Sequence, residues 1–486
     1  MTSILHLAPF SKIPILFAFC GLSLNCLALP LTQAKSGKTI EVTPTALNEE
    51  EVTFELKGTS HTLPLNSLTP ESQKALREWQ EANQSAASES SNLINETIGH
   101  PLFEGNNILW EQSVDTIGQR LRWRQESSNP TSISYRSYPR PNYGFLNAHP
   151  YCCTLYADQA GKASHFSLVF ANKGDFGSTV GSGEDHFKPQ GELPTPKDLN
   201  QAIDQDVESI TNKLSEALGE ADTQYYGEKE DRRKVQRWDY SEHSFILSKK
   251  DDEYAHLLIV PKTVADNEGK VKLINDRDMR SLLAANVEKR ENGDTLITNI
   301  PMVNQGPKGY CAPATFERAM RYVNIPADMY LLATLATSPG GGTNSSRLAD
   351  ESKRIVRSKA RKIRDLDLSN DLSFKTVAKY VDKGVPLLWQ MSSLPPYNNI
   401  ANKRTKERES VTDFTKWTTD IAAEAEEIAG TLRPNSNFHI CMIVGYNEAT
   451  QELAVSDSWG PGYELRWIHI DIAKQVTTRG GFVIDI

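Results

Sequence analysis

In the stretch NQGPKGYCAPATFERAM, residues 304–320, a single cysteine stands directly before an amphipathic run, and a glutamine lies six positions upstream of it. A thiolate attacks carbonyl carbon readily, and an amide N–H nearby can receive the negative charge that then develops on oxygen. The run after Cys311 sets Ala312, Phe316, Ala319, Met320 and Val323 at helical spacing, so the cysteine is expected at the start of a helix with Pro313 in its first turn. Unsatisfied N–H groups and the positive end of the helix dipole favour a thiolate there. A lone cysteine is equally often a small buried hydrophobe, so the thiol by itself leaves both readings open. A nucleophile also needs a base, and His439 opens the strand-like run NFHICMIVGYN. Asp457, in VSDSWG, is placed to fix the tautomer of that ring, and Trp459 to cover the contact and exclude water. Gln305 and the Cys311 backbone N–H would together make an oxyanion hole.

The elements that must position these residues occupy the C-terminal region, residues 291–486. Helical patterns come first: CAPATFERAMRYV, ADMYLLATLA, SRLADESKRIVRSKARKI and DLSFKTVAKYVDKG. Strand-like GVPLLWQMS, NFHICMIVGYN, QELAVSDSW, YELRWIHI and FVIDI follow. Residues 393–437 lie between the first two strands, and their stretch TDFTKWTTDIAAEAEEIAG reads as a helix that packs through Trp417, Ile421 and Ile428. Such a segment could serve as a lid or as one wall of a cleft. In TSPGGGTNSS the backbone of Gly340, Gly341 and Gly342 could lie against an extended substrate, or the glycines could simply connect two helices.

Taken together, Gln305, Cys311, His439 and Asp457-Ser458-Trp459-Gly460 resemble, in order and approximate spacing, the signature of papain-like cysteine peptidases. HICMIVGY and DSWGPGYELRW are similar to that family's histidine and N-S-W-G segments. QGPKGYCAPAT, with aspartate as third catalytic residue, is more similar to the bacterial branch akin to the double-glycine leader (C39-like) peptidases. The resemblance covers roughly residues 298–486. It implies an α+β fold whose C-terminal domain has a helical subdomain followed by an antiparallel β subdomain. It also implies peptide-bond hydrolysis by Cys311, His439 and Asp457 with Gln305 as oxyanion donor, a polypeptide substrate and no cofactor. Asp457 stands where papain itself has asparagine, and no companion cysteines support papain's disulfides. Acyl transfer to an amine, as in transglutaminases, and a peptidase fold used only for binding are the two rival readings.

The rest of the chain bounds the setting. Its 486 residues exceed one core, and the net charge of −9 disfavours a general nucleic-acid binder. The basic runs 355–364 and 402–408 read as solvated faces. An apolar run after Lys12 reads as a secretory signal (residues 1–28) cleaved after Ala28 or Ala34, so export is expected, with no stable membrane span once the signal is removed. A small β-plus-helix module (29–82), a Ser/Ala-rich linker (83–95), an α+β domain (96–265) and a polar linker (266–290) precede the C-terminal domain. In the α+β domain Ile203, Val207, Ile210, Leu214 and Leu218 share one helical face that ends at Gly219, and Cys152 and Cys153 read as opposite faces of one strand. Neither CxxC pairs nor HExxH occur, so no metal site is expected. The oligomeric state is left open.

Overall fold

The computed structural model describes residues 28–140, 142–175, 195–306, 309–337 and 342–486. The expected signal segment up to residue 27 lies outside them, as do Gly340 and Gly341. The fold is mixed α+β, with antiparallel sheets and twelve α-helices among the described residues. None of those helices is long and apolar enough to cross a membrane. The chain divides into two compact units, one running to Leu93 with Glu104–Asn106, the other comprising Ile94–Phe103 and Asn107–Ile486.

The first unit holds a four-stranded meander, Leu29–Thr32, Thr39–Leu47, Glu51–Leu56 and Thr59–Pro64. Alternation places Leu31, Val42, Val52 and Phe54 on one face, where Leu68 and Leu76 close a small core. Thr69 accepts from the Ser72 N–H at the start of a long helix, Pro70–Ile98. The Ser/Ala-rich residues 83–95 continue that helix. Alanine is the best helix former and serine is tolerated where the helix surface meets water, so composition alone does not stop the helix there.

In the second unit, an eight-stranded antiparallel sheet forms the middle part, with Arg124–Asn129 at one edge and Asp222–Tyr226 at the other. Helix Pro196–Leu218 covers one face, burying Ile203, Ile210 and Leu214, with Val207 and Leu218 packed against the same core. Gly219 ends it with φ +90°, a conformation glycine adopts without steric cost. Cys152 and Cys153 are free thiols on opposite faces of strand Cys152–Ala157. Cys153 joins the core under the helix. Cys152 faces the other way, packing with Tyr310, Met329 and Tyr330 of the C-terminal part.

The C-terminal part is built on a second eight-stranded antiparallel sheet. The histidine-bearing strand Phe438–Asn447 lies inside it, flanked by Thr295–Ile297, Leu387–Ser392 and Glu452–Ser456. The polar stretch 266–290 carries helix Asp276–Ala285, which places Met279 and Leu283 in this same core. The pattern expected to be helical through residue 363 breaks at Ser358, and Lys362–Leu366 instead pairs with the C-terminal strand Thr477–Asp485. Ala360 makes the turn with φ +60°, so neither a glycine nor a proline marks it in the sequence. The helix Ile470–Val476, also unmarked, lies between two strands.

Candidate active site

Cys311 is the first residue of helix Cys311–Tyr322 and is partly exposed, whereas the next nine residues are all buried. Ala312, Phe316, Ala319 and Met320 occupy the main core as their spacing predicts. One turn after Cys311, the Thr315 hydroxyl donates to the Ile440 carbonyl at 3.1 Å, fastening the helix to the strand that bears His439. Arg318, fully buried, donates to the carbonyl of Pro301 at 2.9 Å and to the Ser456 hydroxyl at 2.5 Å. One guanidinium thus ties the cysteine helix to the Gln305 loop and to the strand leading into Asp457.

His439 Nε2 lies 2.7 Å from Asp457 Oδ1, both groups buried. Burial would lower the imidazole, but the Asp457 hydrogen bond and the interaction with the Cys311 thiol raise it to about 9. Burial would push the Cys311 thiol up. The His439 hydrogen bond and charge, with the Ile440 and Ala312 N–H groups, more than offset it, so the thiol lies below its ordinary value. Asp457 is likewise buried yet held below its ordinary range by His439 and Arg466. Trp459 stacks on the imidazole, centroids 4.9 Å apart and planes 29° apart, with the Arg466 guanidinium over its ring at 5.0 Å. Gln305 is brought in from the other side by its own N–H, which donates to the Ser458 carbonyl at 2.8 Å. Its side-chain Oε1 is buried with no hydrogen-bond partner among the described residues. Gly460, with φ +102°, turns the chain where a Cβ would come within 3.2 Å of the Asn304 amide.

Residues 297–476 match the model of the Peptidase_C39 like family. The C-terminal part of this chain is therefore related to the C39-like, papain-like cysteine peptidases. No curated protein matches the chain. Of the four residues singled out by sequence spacing, His439 and Asp457 are bonded directly, Cys311 begins the helix fastened to the His439 strand, and Gln305 is held by its backbone to Ser458 beside Asp457, with Trp459 over the histidine. Gly342 is exposed, with nothing among the described residues within 4 Å of where a Cβ would stand.

Several residues of the site have no counterpart in the sequence reading. Arg466 is buried and donates through Nε to Asp457 Oδ2 at 3.0 Å, with a second, shorter bond from its Nη2. Its Nη1 reaches the side-chain carbonyls of Asn398 and Asn402, each at 3.2 Å. Both asparagines belong to helix Pro395–Arg408 of the segment that precedes His439. That segment packs beside strand Arg466–His469, with Trp417 and Ile421 buried in its second helix, Phe414–Glu427. The basic run 402–408 is not simply a solvated face. Arg408 is buried, bridging Asp294 and Glu452 at 2.6 and 2.9 Å and covering Trp467, and Arg404 pairs with Glu424. Cys441 lies near His439 and Asp457, their ligand atoms within 4.8 Å of one another. The set suits a cation poorly, because burial and the Asp457 charge keep the Cys441 thiol protonated and Arg466 already occupies the carboxylate.

Proposed function

We propose that this protein is an exported cysteine peptidase that hydrolyses peptide bonds through Cys311, His439 and Asp457. The observation that carries the reading is the buried His439–Asp457 pair with Arg466 behind it, on the strand to which the Cys311 helix is fastened by Thr315. Such an arrangement favours a thiolate beside an imidazolium at neutral pH, the pair that nucleophilic acyl chemistry requires.

In this mechanism the Cys311 Sγ attacks the scissile carbonyl carbon and the π electrons move onto oxygen. The oxyanion is received by the Cys311 N–H and the Gln305 side-chain amide. Collapse expels the amine, which takes the proton from His439, and leaves a thioester on Cys311. His439, now neutral, removes a proton from water as that water attacks the thioester. The tetrahedral intermediate collapses with cleavage of the C–S bond, the acid departs, and the proton taken from water stays on His439, so the thiolate–imidazolium pair is restored. Asp457 holds the ring orientation throughout, and Trp459 shields the contact from water. Export rests on the N-terminal apolar run, and sequencing of the mature N-terminus from the culture fluid or periplasm tests it.

The reaction is tested by trapping. Acid-quenched incubation with a peptide thioester is expected to add one acyl group to Cys311, labile to hydroxylamine and absent in Cys311→Ala. New peptide termini then identify hydrolysis, whereas isopeptide links between chains would identify acyl transfer instead. An enzyme that never acylates would remove this reading altogether.

A further inference from the structure

The loop that carries Gln305 does not rest on the C-terminal part alone. Residues 299–304 run along the edge strand Arg124–Asn129 of the middle sheet and are bonded to it and its turn at successive positions. Thr131 Oγ1 donates to the Asn299 carbonyl at 3.1 Å, and Asn129 Nδ2 donates to the Ile300 carbonyl at 3.0 Å. The Met302 N–H donates to Ser127 Oγ at 3.2 Å, and the Asn304 N–H to Glu126 Oε1 at 2.7 Å. From the neighbouring segment, the Tyr138 hydroxyl donates to the Asn304 carbonyl. The Tyr138 ring sits so close to Gly306 that a Cβ there would approach it to 2.9 Å.

Behind this seam lies a buried charge network. Arg136 donates to Glu126 Oε1 at 2.7 Å and to Glu317 Oε1 at 3.0 Å, with side chains 2%, 2% and 0% exposed. Glu317 belongs to the helix that Cys311 begins, and it also accepts from the Met329 N–H at 2.7 Å and the Tyr156 hydroxyl at 3.1 Å. One middle-domain arginine therefore touches, through two carboxylates, both the loop of Gln305 and the helix of Cys311. Those are the two halves of the oxyanion hole.

We propose that the middle domain is a permanent part of the active site: Glu126, Arg136 and Tyr138 are positioning residues that hold the Gln305 loop in register with the Cys311 helix. None of them touches the reacting atoms. A pro-region would be expected to cover the cleft and leave on activation. This domain instead grips the backbone from behind, through buried charged groups that separation would leave unpaired. Its catalytic arm rests on the cysteine-peptidase reading, but its structural arm does not.

The test uses the full mature chain and the variants Tyr138→Phe, Glu126→Gln and Glu126→Ala. Amide hydrogen exchange at Asn304, Gln305 and Gly306 is expected to speed up at least about tenfold in Tyr138→Phe and Glu126→Ala, with helix Cys311–Tyr322 unchanged. The same variants are expected to lose roughly 10- to 100-fold in kcat with KM retained, because small misplacements of this kind act on the transition state. Glu126→Gln, which keeps an acceptor for the Asn304 N–H, should recover part of the loss. The rate of Cys311 alkylation and its pH profile should stay at the wild-type values, since the Cys–His pair is untouched. Wild-type loop exchange would overturn the proposal, as would a kcat loss matched step for step by loss of alkylation. If the wild type hydrolyses no peptide, the peptidase reading fails and loop exchange alone decides the positioning role.

Discussion

At the scale of single residues, the behaviour of the site turns on where the partly exposed Cys311 thiol and the buried His439 and Asp457 titrate. His439 is raised to about 9 and Cys311 is lowered, so the thiolate–imidazolium pair persists between the depressed thiol value and about pH 9. A raised histidine keeps its proton to higher pH, and its stabilising contribution disappears as pH rises through its folded value. We expect kcat/KM to be bell-shaped with the basic limb near pH 9, and Cys311 alkylation to rise with pH through the depressed thiol value, measured on reduced protein. Asp457→Ala should move that limb to lower pH, because the Asp457 hydrogen bond heads the groups that raise the imidazole. Arg466→Met removes the cation from a fully buried carboxylate and should cost about 3–5 kcal/mol in urea unfolding, as broken buried pairs do. Gln305, Cys311, His439 and Asp457 could be proposed from the sequence because each stands in a short local motif. Arg466 stands in YELRWIHI as a charge amid apolar residues, which signals a buried partner, but nothing in that run says the partner is Asp457. Asn398 and Asn402 gave no signal, since their meaning depends on a helix folding back against the strand of Arg466.

Among the elements, the cysteine helix shows what periodicity can and cannot reveal. Its apolar face was readable, yet Glu317 and Arg318 are also buried, 0% and 1% exposed, because two different partners cover the helix. Charges on the second face look solvated in the sequence and are in fact satisfied by Arg136 on one side and by Pro301 and Ser456 on the other. The strand Lys362–Leu366 was hidden for the opposite reason, since the turn before it uses an alanine in a left-handed conformation. In the middle domain, the first residue of strand His243–Lys250 sets a pH limit on the fold. His243 Nε2 accepts from the Leu109 N–H at 3.0 Å and Nδ1 faces the Tyr240 carbonyl at 3.1 Å, an arrangement only the neutral ring satisfies fully. Burial lowers it to about 4. A depressed histidine contributes stability that is complete above its unfolded value near 6.5 and is lost as pH falls toward about 4. The urea midpoint should therefore drop across that window, and His243→Asn, which has no such proton to gain, should flatten the drop.

For the molecule as a whole, the junction between the middle and C-terminal parts is an internal seam of one compact unit rather than a flexible joint. Its core mixes apolar packing of Cys152, Val169, Val303, Tyr310 and Tyr330 with the Glu126–Arg136–Glu317 network. The sequence disclosed two α+β regions but not this seam, because its partners lie as far apart as Arg136 and Glu317 and carry no motif that names one another. Glu317→Ala leaves Arg136 short of a counter-charge in a dry site and should destabilise by about 3–5 kcal/mol. Both parts should then lose structure at one lower urea concentration, followed by tryptophan fluorescence of Trp238 and Trp389 left singly in place. Catalysis by Cys311 is read most directly on products. Reduced mature protein is incubated with a diverse peptide mixture beside Cys311→Ala, and the termini are read by mass spectrometry. New termini that appear with the wild type and not with the variant are the predicted result. Identical mixtures from the two, with Cys311 alkylating at the rate of an ordinary thiol, would contradict it.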